Sequence, residues 1–243
     1  NNEIMMIKQA MILAAGKGTR MRPLTLTTPK PLVPVADKPL IFWHIQRLHL
    51  AGIRDIVINV GYLGEKIKQA LLKADFGVNI KISDESSFSE PLETAGGIRY
   101  ALANELLDDS PFLLINGDVW TEFDFNSLIN YDLQDDLAHL ILTKNPHHNP
   151  NGDFVLSDNN KIALKDEQSS CDNCHTFAGI SLLSPDIVAD VQNGEIAPLA
   201  PKLKNAIAHN KVTGRLMRET WVDVGTLERL AWVDNYARLV TLS

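Results

Sequence analysis

Hydrophobic positions along the chain follow two different spacings. Short runs rich in Ile, Val and Leu, which are typical of buried strands, alternate with longer segments in which apolar residues recur every three or four positions, as on one face of a helix. Ile41, Ile45 and Leu48 form such a stripe. Gly52 follows it at the place where a helix would end. The alternation predicts strand–helix–strand units, and therefore parallel strands covered by helices.

These patterns place strands and helices along most of the chain. The predicted strands cover residues 7–13, 55–60, 78–83, 112–116, 137–143, 154–157, 161–165, 175–183, about 211–218 and 221–224. The predicted helices cover residues 38–51, 63–74, 94–107, 126–133, 185–192, 198–209 and 227–240. Turn residues dominate after Asn145, which indicates a hairpin-rich insertion that walls one side of a pocket. Ligands are expected at the carboxyl ends of the strands.

No internal repeat and no low-complexity linker interrupts the 243-residue chain, so residues 7–243 are predicted to form a single α/β domain. The chain opens on Asn rather than Met, and residues 1–6 are expected to be a processed or cloning-derived start outside that domain. The longest apolar run near the start, residues 10–15, is too short for a signal sequence or a membrane span. These features predict a cytoplasmic protein without a membrane partner.

The net charge is acidic overall and basic in one place. The chain has 23 Lys and Arg against 30 Asp and Glu, a formal charge of −7, so no global basic field exists to attract nucleic acid. Residues 4–36 contain no acidic residue and carry five bases: Lys8, Lys17, Arg20, Arg22 and Lys30. This local concentration of positive charge indicates a small polyanionic ligand, such as a nucleotide with a sugar phosphate, rather than a nucleic acid.

The most informative segment is a loop of very small residues that directly follows the first predicted strand. It reads A-A-G-K-G-T-R-M-R-P-L-T over residues 14–25, and T-P-K-P-L follows at residues 28–32. Small side chains allow backbone N–H groups to approach an anion closely, and the bases of the loop supply charge around it. The segment therefore predicts a cradle for a triphosphate. Its spacing matches neither the P-loop nor the dinucleotide fingerprint, which argues against a P-loop NTPase and against an NAD-dependent oxidoreductase.

Two aspartates follow predicted strands. Asp118 comes just after the apolar strand 112–116, and Asp223 lies within W-V-D-V-G-T at the end of another strand. Mg²⁺ requires few protein carboxylates when phosphate and water oxygens complete its coordination. The pair therefore predicts a magnesium site beside the triphosphate cradle.

The two cysteines, Cys171 and Cys174, precede His175 in the string C-x-x-C-H. Haem attachment is rejected because nothing signals export or a large cofactor pocket. A zinc site lacks further ligands, since His147 and His148 are adjacent residues in a Pro/Asn loop. We expect incidental loop cysteines, with a reversible disulfide or adventitious metal binding as the alternatives.

The motif A-A-G-x-G-T-R-x-x-P-L-T followed by P-K-P-L resembles the signature of the sugar-1-phosphate nucleotidylyltransferases, and the resemblance extends from Ile7 to about Val240. It implies a Rossmann-like three-layer core with a mostly parallel mixed sheet, binding of the nucleoside triphosphate before the sugar phosphate, Mg²⁺ as cofactor and release of pyrophosphate. Segments 92–97, 116–121, 152–154 and 221–226 are most similar to the branch of the family that transfers UMP from UTP to N-acetyl-α-D-muramate 1-phosphate in peptidoglycan recycling.

The resemblance also implies roles for individual residues. Those implied for the nucleotide are Gly16, Gly18, Thr19, Arg20, Lys30, Glu93, Ala95 and Gly96, with Arg20 and Lys30 as the catalytic pair. Those implied for the sugar phosphate are Asn116, Asp153, Glu167 and Gly179, and those for Mg²⁺ are Asp118 and Asp223. The family's E-K-P sugar motif is incomplete here, because Gln168 follows Glu167 where the family has Lys.

Other substrates and one other function remain open from the sequence. A mannose-1-phosphate guanylyltransferase and a glucose-1-phosphate uridylyl- or thymidylyltransferase would use the same motifs. A catalytically inactive nucleotide-sensing subunit need not keep Arg20, Lys30 and both aspartates, and all four are present. We expect a monomer or a small homo-oligomer.

Overall fold

A mixed sheet of nine strands runs through the computed structural model, which describes residues 6–166 and 171–242. The strands of the protein, in chain order, are β1 (Gln9–Leu13), β2 (Pro34–Val35), β3 (Lys38–Pro39), β4 (Asp55–Val60), β5 (Asn79–Asp84), β6 (Phe112–Asn116), β7 (Val119–Thr121), β8 (Ala138–Thr143), β9 (Phe154–Leu156), β10 (Ile162–Leu164), β11 (Cys174–Leu183), β12 (Val212–Leu216) and β13 (Trp221–Asp223). The helices are α1 (Leu40–Leu50), α2 (Gly64–Leu72), α3 (Glu93–Ala103), α4 (Leu199–Ala208) and α5 (Leu227–Thr241).

The main row of the sheet has the order β5-β4-β1-β6-β11-β8-β12, and every strand in it is parallel to β1 except β11. The hairpin β9–β10 attaches to the first residues of β11, as the turn-rich sequence after Asn145 predicts. The register places Leu13 opposite Asn59 on one side and Asn116 on the other. The carboxyl ends of β1, β4 and β6 therefore form one edge, where a ligand is expected.

Helices cover both faces of the sheet. Because side chains alternate along a strand, Ile12 and Ile56 face α1 and α2 on one side, whereas Met11 and Val57 face α3 and α4 on the other. This arrangement of helix, sheet and helix confirms the predicted α/β three-layer core with a mostly parallel mixed sheet.

A smaller apolar cluster holds the end of the chain against its beginning. Strands β7 and β13 form a separate two-stranded ribbon, and α5 packs beside it through Val233 and Ala237. Trp120 of the ribbon meets Trp43 of α1 edge to face, with 5.6 Å between ring centroids. Met21, which follows the small-residue loop, lies in the same cluster. The cluster thus ties the loop to the carboxyl-terminal part of the fold.

Two predicted helices are wrong. Residues 126–133 and 185–192 form only short 3₁₀ turns, Phe125–Leu128 and Pro185–Val188. Each turn has a capping residue, because the side chains of Asp124 and Ser184 accept hydrogen bonds from backbone N–H groups two residues on. Polar turn-forming residues then end each segment after one turn, which the apolar spacing alone did not reveal. The short strands β2, β3 and β7 were not predicted.

Cys171 and Cys174 form a disulfide just before and at the start of β11. The expectation of incidental cysteines is therefore wrong, and the pairing that stood as its alternative is present. No group of three or more potential metal ligands occurs within residues 6–166 and 171–242. None of the helices in those ranges is long and apolar enough to cross a bilayer.

Candidate active site

A cavity of about 490 Å³ opens at the carboxyl ends of β1 and β6. Its wall is built from the small-residue loop, from strand ends and from the start of α3. The lining residues are 13–21, Lys30, Pro31, Asn59, Glu85, Pro91, Glu93, Thr94, 116–118 and Gly225. The cavity is thus where parallel-sheet topology predicts a ligand.

Gly18 shapes the small-residue loop. Its backbone is left-handed, with φ +60°, and a Cβ at this position would lie 3.0 Å from the Cγ2 atom of Thr25. The Gly18 carbonyl accepts hydrogen bonds from Thr25 Oγ1 at 2.6 Å and from the N–H of Met21 at 3.1 Å. The loop therefore turns tightly at a residue that only glycine suits. Gly16, Thr19 and Arg20 of the same loop line the cavity.

Lys30 brings a positive charge into the cavity wall from a 3₁₀ turn, Lys30–Leu32. The residue is only 8% exposed, and its Nζ lies 3.4 Å from Oδ2 of Asp118. Asp118 itself is 44% exposed at its side chain, so its carboxylate faces the cavity. The pair places a cation and an anion side by side at the rim.

Asp118 and Asp223 are brought together by the ribbon of β7 and β13. Asp223 pairs with Val119, and the N–H of Val224 donates to the carbonyl of Asp118 at 2.9 Å. Gly117 lets the chain just before β7 pass close to the end of β1, because a Cβ there would lie 2.3 Å from the carbonyl oxygen of Leu13. The two predicted metal ligands therefore lie on neighbouring backbone segments.

The two oxygens of Asp223 have different surroundings. Oδ2 lies 3.4 Å from Nε2 of His148 and 3.5 Å from a terminal nitrogen of Arg229. Arg229 Nε also donates to the backbone carbonyl of Asp223 at 2.6 Å. Oδ1 is buried and has no hydrogen-bond partner among the described residues. A carboxylate with one unpartnered oxygen, next to a second carboxylate, fits a divalent cation whose remaining ligands are phosphate and water oxygens.

Gly225 marks the point where three charged side chains meet. The position that a Cβ would take there lies 3.0 Å from Oδ1 of Asp223 and 3.2 Å from a terminal nitrogen of Arg20. A terminal nitrogen of Arg229 is nearer still, at 2.2 Å. The small-residue loop, the ribbon and α5 thus converge on one end of the cavity.

Asn59 and Glu85 form a buried polar pair that the sequence reasoning missed. Asn59 accepts from the N–H of Ala14 at 2.7 Å and donates to Oε2 of Glu85 at 2.7 Å. Burial raises the pKa of Glu85, and the hydrogen bond from Asn59 partly opposes that rise. Both residues line the cavity. The available signal was a polar residue at or just after the end of an apolar strand, the feature that identified Asp118.

The residues predicted near base and ribose divide into two groups. Glu93, at the start of α3, lines the cavity. Ala95 and Gly96, in the first turn of α3, are buried and do not line the cavity. The N–H of Gly96 donates to the carbonyl of Ala197 at 3.0 Å, and a Cβ on Gly96 would lie 2.4 Å from the carbonyl of Glu195. The small size of Gly96 therefore lets α3 pack against this segment.

The residues predicted for the sugar phosphate are only partly brought together. Asn116 lines the cavity. Gly179 packs against the Asn116 side chain, since a Cβ on Gly179 would lie 2.8 Å from its nitrogen. Asp153 does not line the cavity, and its carboxylate accepts from the N–H of Phe177 at 2.8 Å and from Asn149 at 3.0 Å. Glu167 lies outside the described residues.

Comparison with known proteins agrees with this geometry. The nucleotidyl transferase family matches residues 9–237. The N-acetylmuramate alpha-1-phosphate uridylyltransferase of Neisseria meningitidis serogroup B is 46% identical over 226 residues, which are 91% of this chain and 95% of that protein. The mannose-1-phosphate guanyltransferase of Hypocrea jecorina is 31% identical over 225 residues, which are 89% of this chain and 60% of that protein.

Solved structures share the fold. A Bacillus anthracis protein assigned as a glucose-1-phosphate thymidylyltransferase superposes with a TM-score of 0.77, at 21% identity, over 96% of this chain and 95% of that one. HddC from Yersinia pseudotuberculosis, in complex with GMP-PN, superposes with a TM-score of 0.75, at 20% identity, over 95% of this chain and 100% of that one. Because the family and the Neisseria relative both match nearly the whole sequence, the chain belongs to the nucleotidyl transferase family, among the sugar-1-phosphate nucleotidyltransferases.

Proposed function

We propose that the protein transfers UMP from UTP to N-acetyl-α-D-muramate 1-phosphate, forming the UDP-sugar and releasing pyrophosphate. The observation that carries the proposal is a cavity walled by a loop of small residues and lined by Arg20, Lys30 and Asp118, with Asp223 on the strand paired beside Asp118. The choice of UTP and of the muramate ester is supported by the relative that is 46% identical over nearly the whole of both chains.

The chemistry is an in-line displacement at phosphorus. An oxygen of the acceptor's phosphate attacks the α-phosphorus of UTP, the bond from that phosphorus to the bridging oxygen breaks, and pyrophosphate leaves with the electron pair. The acceptor phosphate is already anionic, so no general base and no covalent enzyme intermediate are required. The protein's task is to orient the two substrates and to offset negative charge on the leaving group.

Different residues would orient the substrates and offset their charge, according to where each residue lies in the cavity. Arg20 and Lys30 supply positive charge beside the small-residue loop, where the triphosphate would lie. Asp118 and Asp223 would hold Mg²⁺, which when bound offsets the charge of the phosphates and fixes their geometry. Asn116 lies at the strand end where the acceptor would approach, and Gly179 abuts its side chain.

A second candidate acts on GTP and mannose 1-phosphate. Mannose-1-phosphate guanyltransferases from several fungi are about as similar to part of this chain, for example 44% identical over 125 residues in Gibberella zeae. That match covers 51% of this chain, so it speaks to the shared nucleotide chemistry more than to the acceptor. The uridylyl proposal is preferred because its relative is 46% identical over 91% of this chain, whereas the guanyltransferase of Hypocrea jecorina, which matches 89% of the chain, is 31% identical.

The experiment is a pyrophosphate-release screen on the purified full chain with Mg²⁺. UTP, dTTP, GTP, CTP and ATP are each combined with the 1-phosphates of N-acetylmuramate, N-acetylglucosamine, glucose and mannose. We expect the highest kcat/KM for UTP with N-acetylmuramate 1-phosphate. A preference for GTP with mannose 1-phosphate would replace the substrate assignment. Absence of pyrophosphate release from every pair would instead favour a nucleotide-sensing role.

The cellular setting follows from the substrates. UTP and a phosphorylated wall sugar place the reaction in the cytoplasm, within the reuse of peptidoglycan fragments. Thiols are kept reduced there, so we expect Cys171 and Cys174 to pair only reversibly. The same setting is compatible with the expected monomer or small homo-oligomer.

A further inference from the structure

One histidine of the hairpin-rich insertion lies beside Asp223, one of the two predicted metal ligands. Residues 144–153 connect β8 to β9, and within this connection Nε2 of His148 lies 3.4 Å from Oδ2 of Asp223. The side chain of His148 is 34% exposed, so one face of the imidazole remains open. The neighbouring His147 makes no ion pair, hydrogen bond or ring contact with the described part of the chain, whereas His148 forms the pair with Asp223.

The connection is firmly held at its base. Asn145 donates to the carbonyl of Cys174 at 3.0 Å and accepts from Oγ1 of Thr176 at 2.8 Å. Asn149 donates to the same Thr176 oxygen at 3.1 Å and to the carboxylate of Asp153 at 3.0 Å. These bonds tie both ends of the connection to β11. A polar network of this kind fixes the position of the imidazole and reduces the ordering cost of binding through it.

The charges around the cavity differ between the side where the nucleotide would bind and the side where the acceptor would bind, near His148. Lys17, Arg20 and Lys30 all belong to the small-residue loop or the segment just after it, on the nucleotide side. The acceptor side presents an amide, Asn116, beside the two aspartates. A sugar 1-phosphate would bring its own negative charge to that side. Arg229 is a cation beside these aspartates, and Asp223 already engages it through its carboxylate and its backbone carbonyl, so a further hydrogen-bond donor would favour binding of the acceptor.

Asp223 does not depend on His148 for a partner. Arg229 already contacts both its carboxylate and its backbone carbonyl, at 3.5 Å and 2.6 Å. A bound cation that drew the Asp223 carboxylate toward itself would leave Nε2 of His148, in the tautomer that carries its hydrogen there, free to donate to another oxygen. A built loop that presents an N–H donor at this point is therefore better explained by a substrate contact than by support of Asp223.

We propose that His148 binds the acceptor, with its Nε2–H donating a hydrogen bond to an anionic oxygen of the incoming sugar 1-phosphate. The inference rests on the proposed function, because it requires a sugar phosphate as the second substrate. N-acetylmuramate 1-phosphate carries two anionic groups, the phosphate and the carboxylate of its lactyl ether. Either group offers the oxygen that the donor needs.

The test compares His148→Ala, His148→Gln and the matched control His147→Ala. Kinetics with each substrate varied in turn is combined with calorimetric titration of the acceptor into enzyme, Mg²⁺ and a non-hydrolysable UTP analogue. A hydrogen bond to a charged group contributes enough that His148→Ala should raise the acceptor's KM and Kd by about ten- to a hundredfold. The KM of UTP should stay within about twofold. Gln should restore part of the affinity because it keeps an N–H donor, and His147→Ala should match the wild type.

Two acceptors distinguish which group is bound. N-acetylglucosamine 1-phosphate lacks the lactyl carboxylate, so an equal loss with both acceptors identifies the phosphate as the partner. A loss confined to N-acetylmuramate 1-phosphate identifies the carboxylate, and both results support the proposal. An unchanged acceptor Kd, a parallel rise in the KM of UTP, or an effect limited to the Mg²⁺ concentration required would each overturn it.

The wild-type screen separates this proposal from the one on which it rests. Turnover of a different sugar phosphate would refute the muramate assignment, and the His148 series would then be run with that acceptor. If no pair releases pyrophosphate, the proposed function fails. The calorimetric titration still decides on His148, because acceptor binding that Ala weakens and Gln restores requires no turnover.

Discussion

Lys30 and Asp118 form an ion pair across the cavity rim, with 3.4 Å between Nζ and Oδ2, and thereby join the 3₁₀ turn Lys30–Leu32 to the chain just after β6. Lys30 is buried and Asp118 is partly open to the cavity, so the pair has a fixed cation and an accessible anion. A divalent cation bound at Asp118 would compete with Lys30 for the carboxylate and leave the ammonium group directed toward phosphate. Replacing Lys30 should therefore lower the catalytic rate while leaving the stability of the fold almost unchanged.

We expect Lys30→Met to lower kcat by about 10²–10³, because a preorganised charge beside the leaving group is lost. Lys30→Arg should retain more activity because it keeps the charge. Pyrophosphate release measures the effect, and thermal unfolding measured alongside should change little. A Lys30→Met enzyme with near-normal turnover would exclude Lys30 from the chemistry.

Substitution of either aspartate should change the metal requirement. Asp118→Asn and Asp223→Asn each remove one anionic ligand from a site that offers two. We therefore expect the Mg²⁺ concentration for half-maximal rate to rise at least tenfold. A tenfold rise corresponds to a loss of about 1.4 kcal/mol in binding free energy. Titration with Mn²⁺ in the presence of a UTP analogue provides a readout independent of turnover. The exposed Asp109→Asn is the control. An unaltered metal dependence in both variants would refute the assignment.

Two glycine substitutions should separate packing from binding. In Gly117→Ala the new methyl group would lie 2.3 Å from the Leu13 carbonyl, so we expect a loss of about 3 kcal/mol in unfolding free energy, the upper end for overpacking. In Gly16→Ala nothing lies within 4 Å of the new Cβ, which would project at the cavity wall. This variant should keep its stability within about 0.5 kcal/mol and bind UTP more weakly.

Chemical denaturation and calorimetry distinguish the two glycine variants. Equal stability of Gly117→Ala and the wild type would show that the Leu13 carbonyl can move aside. Unchanged UTP affinity in Gly16→Ala would remove this part of the loop from the nucleotide site.

Glu85 should make stability depend on pH. Burial raises its pKa above the ordinary value of 4.5, so the neutral form is favoured in the fold. The stability that this contributes is full at pH values below 4.5 and is lost as the pH rises through the raised pKa. Glu85→Gln cannot ionise and keeps an acceptor for Asn59. We therefore expect its unfolding free energy to equal that of the wild type in acid and to exceed it increasingly toward neutral pH.

Denaturant unfolding at a series of pH values tests this difference, with the exposed Glu90→Gln as control. A difference that does not vary with pH would mean that Glu85 titrates alike in the folded and unfolded chains. If Glu85→Gln has a larger unfolding free energy than the wild type at neutral pH, Glu85 lowers the stability of the wild-type fold there. Such a cost is expected of a residue that is kept for binding.

The sequence allowed the local parts of the site to be predicted. The loop from Gly16 to Arg20 is recognisable because small residues and bases are adjacent in the chain, and Asp118 and Asp223 are recognisable because each follows an apolar strand. The structure adds the ribbon of β7 and β13, which joins the two aspartates. The parallel sheet itself followed from the alternation of two hydrophobic spacings.

What the sequence did not reveal depends on contacts between distant segments. Asn59 and Glu85 each stand alone at a strand end, and only the register of β1, β4 and β5 makes them a pair. His148 comes from a loop 75 residues before Asp223, and nothing in the sequence connects the two. The two short 3₁₀ turns were predicted as longer helices. Apolar spacing, even behind a capping residue, does not determine how far a helix continues.

The ribbon of β7 and β13 has a consequence for synthesis on the ribosome. A growing chain that has emerged past Asp118 already holds the small-residue loop, Lys30 and the first carboxylate. It has neither Asp223 nor the helix α5 that packs the ribbon in place. The cation site proposed at Asp118 and Asp223 therefore cannot be completed until β13, the last strand to be translated, has emerged.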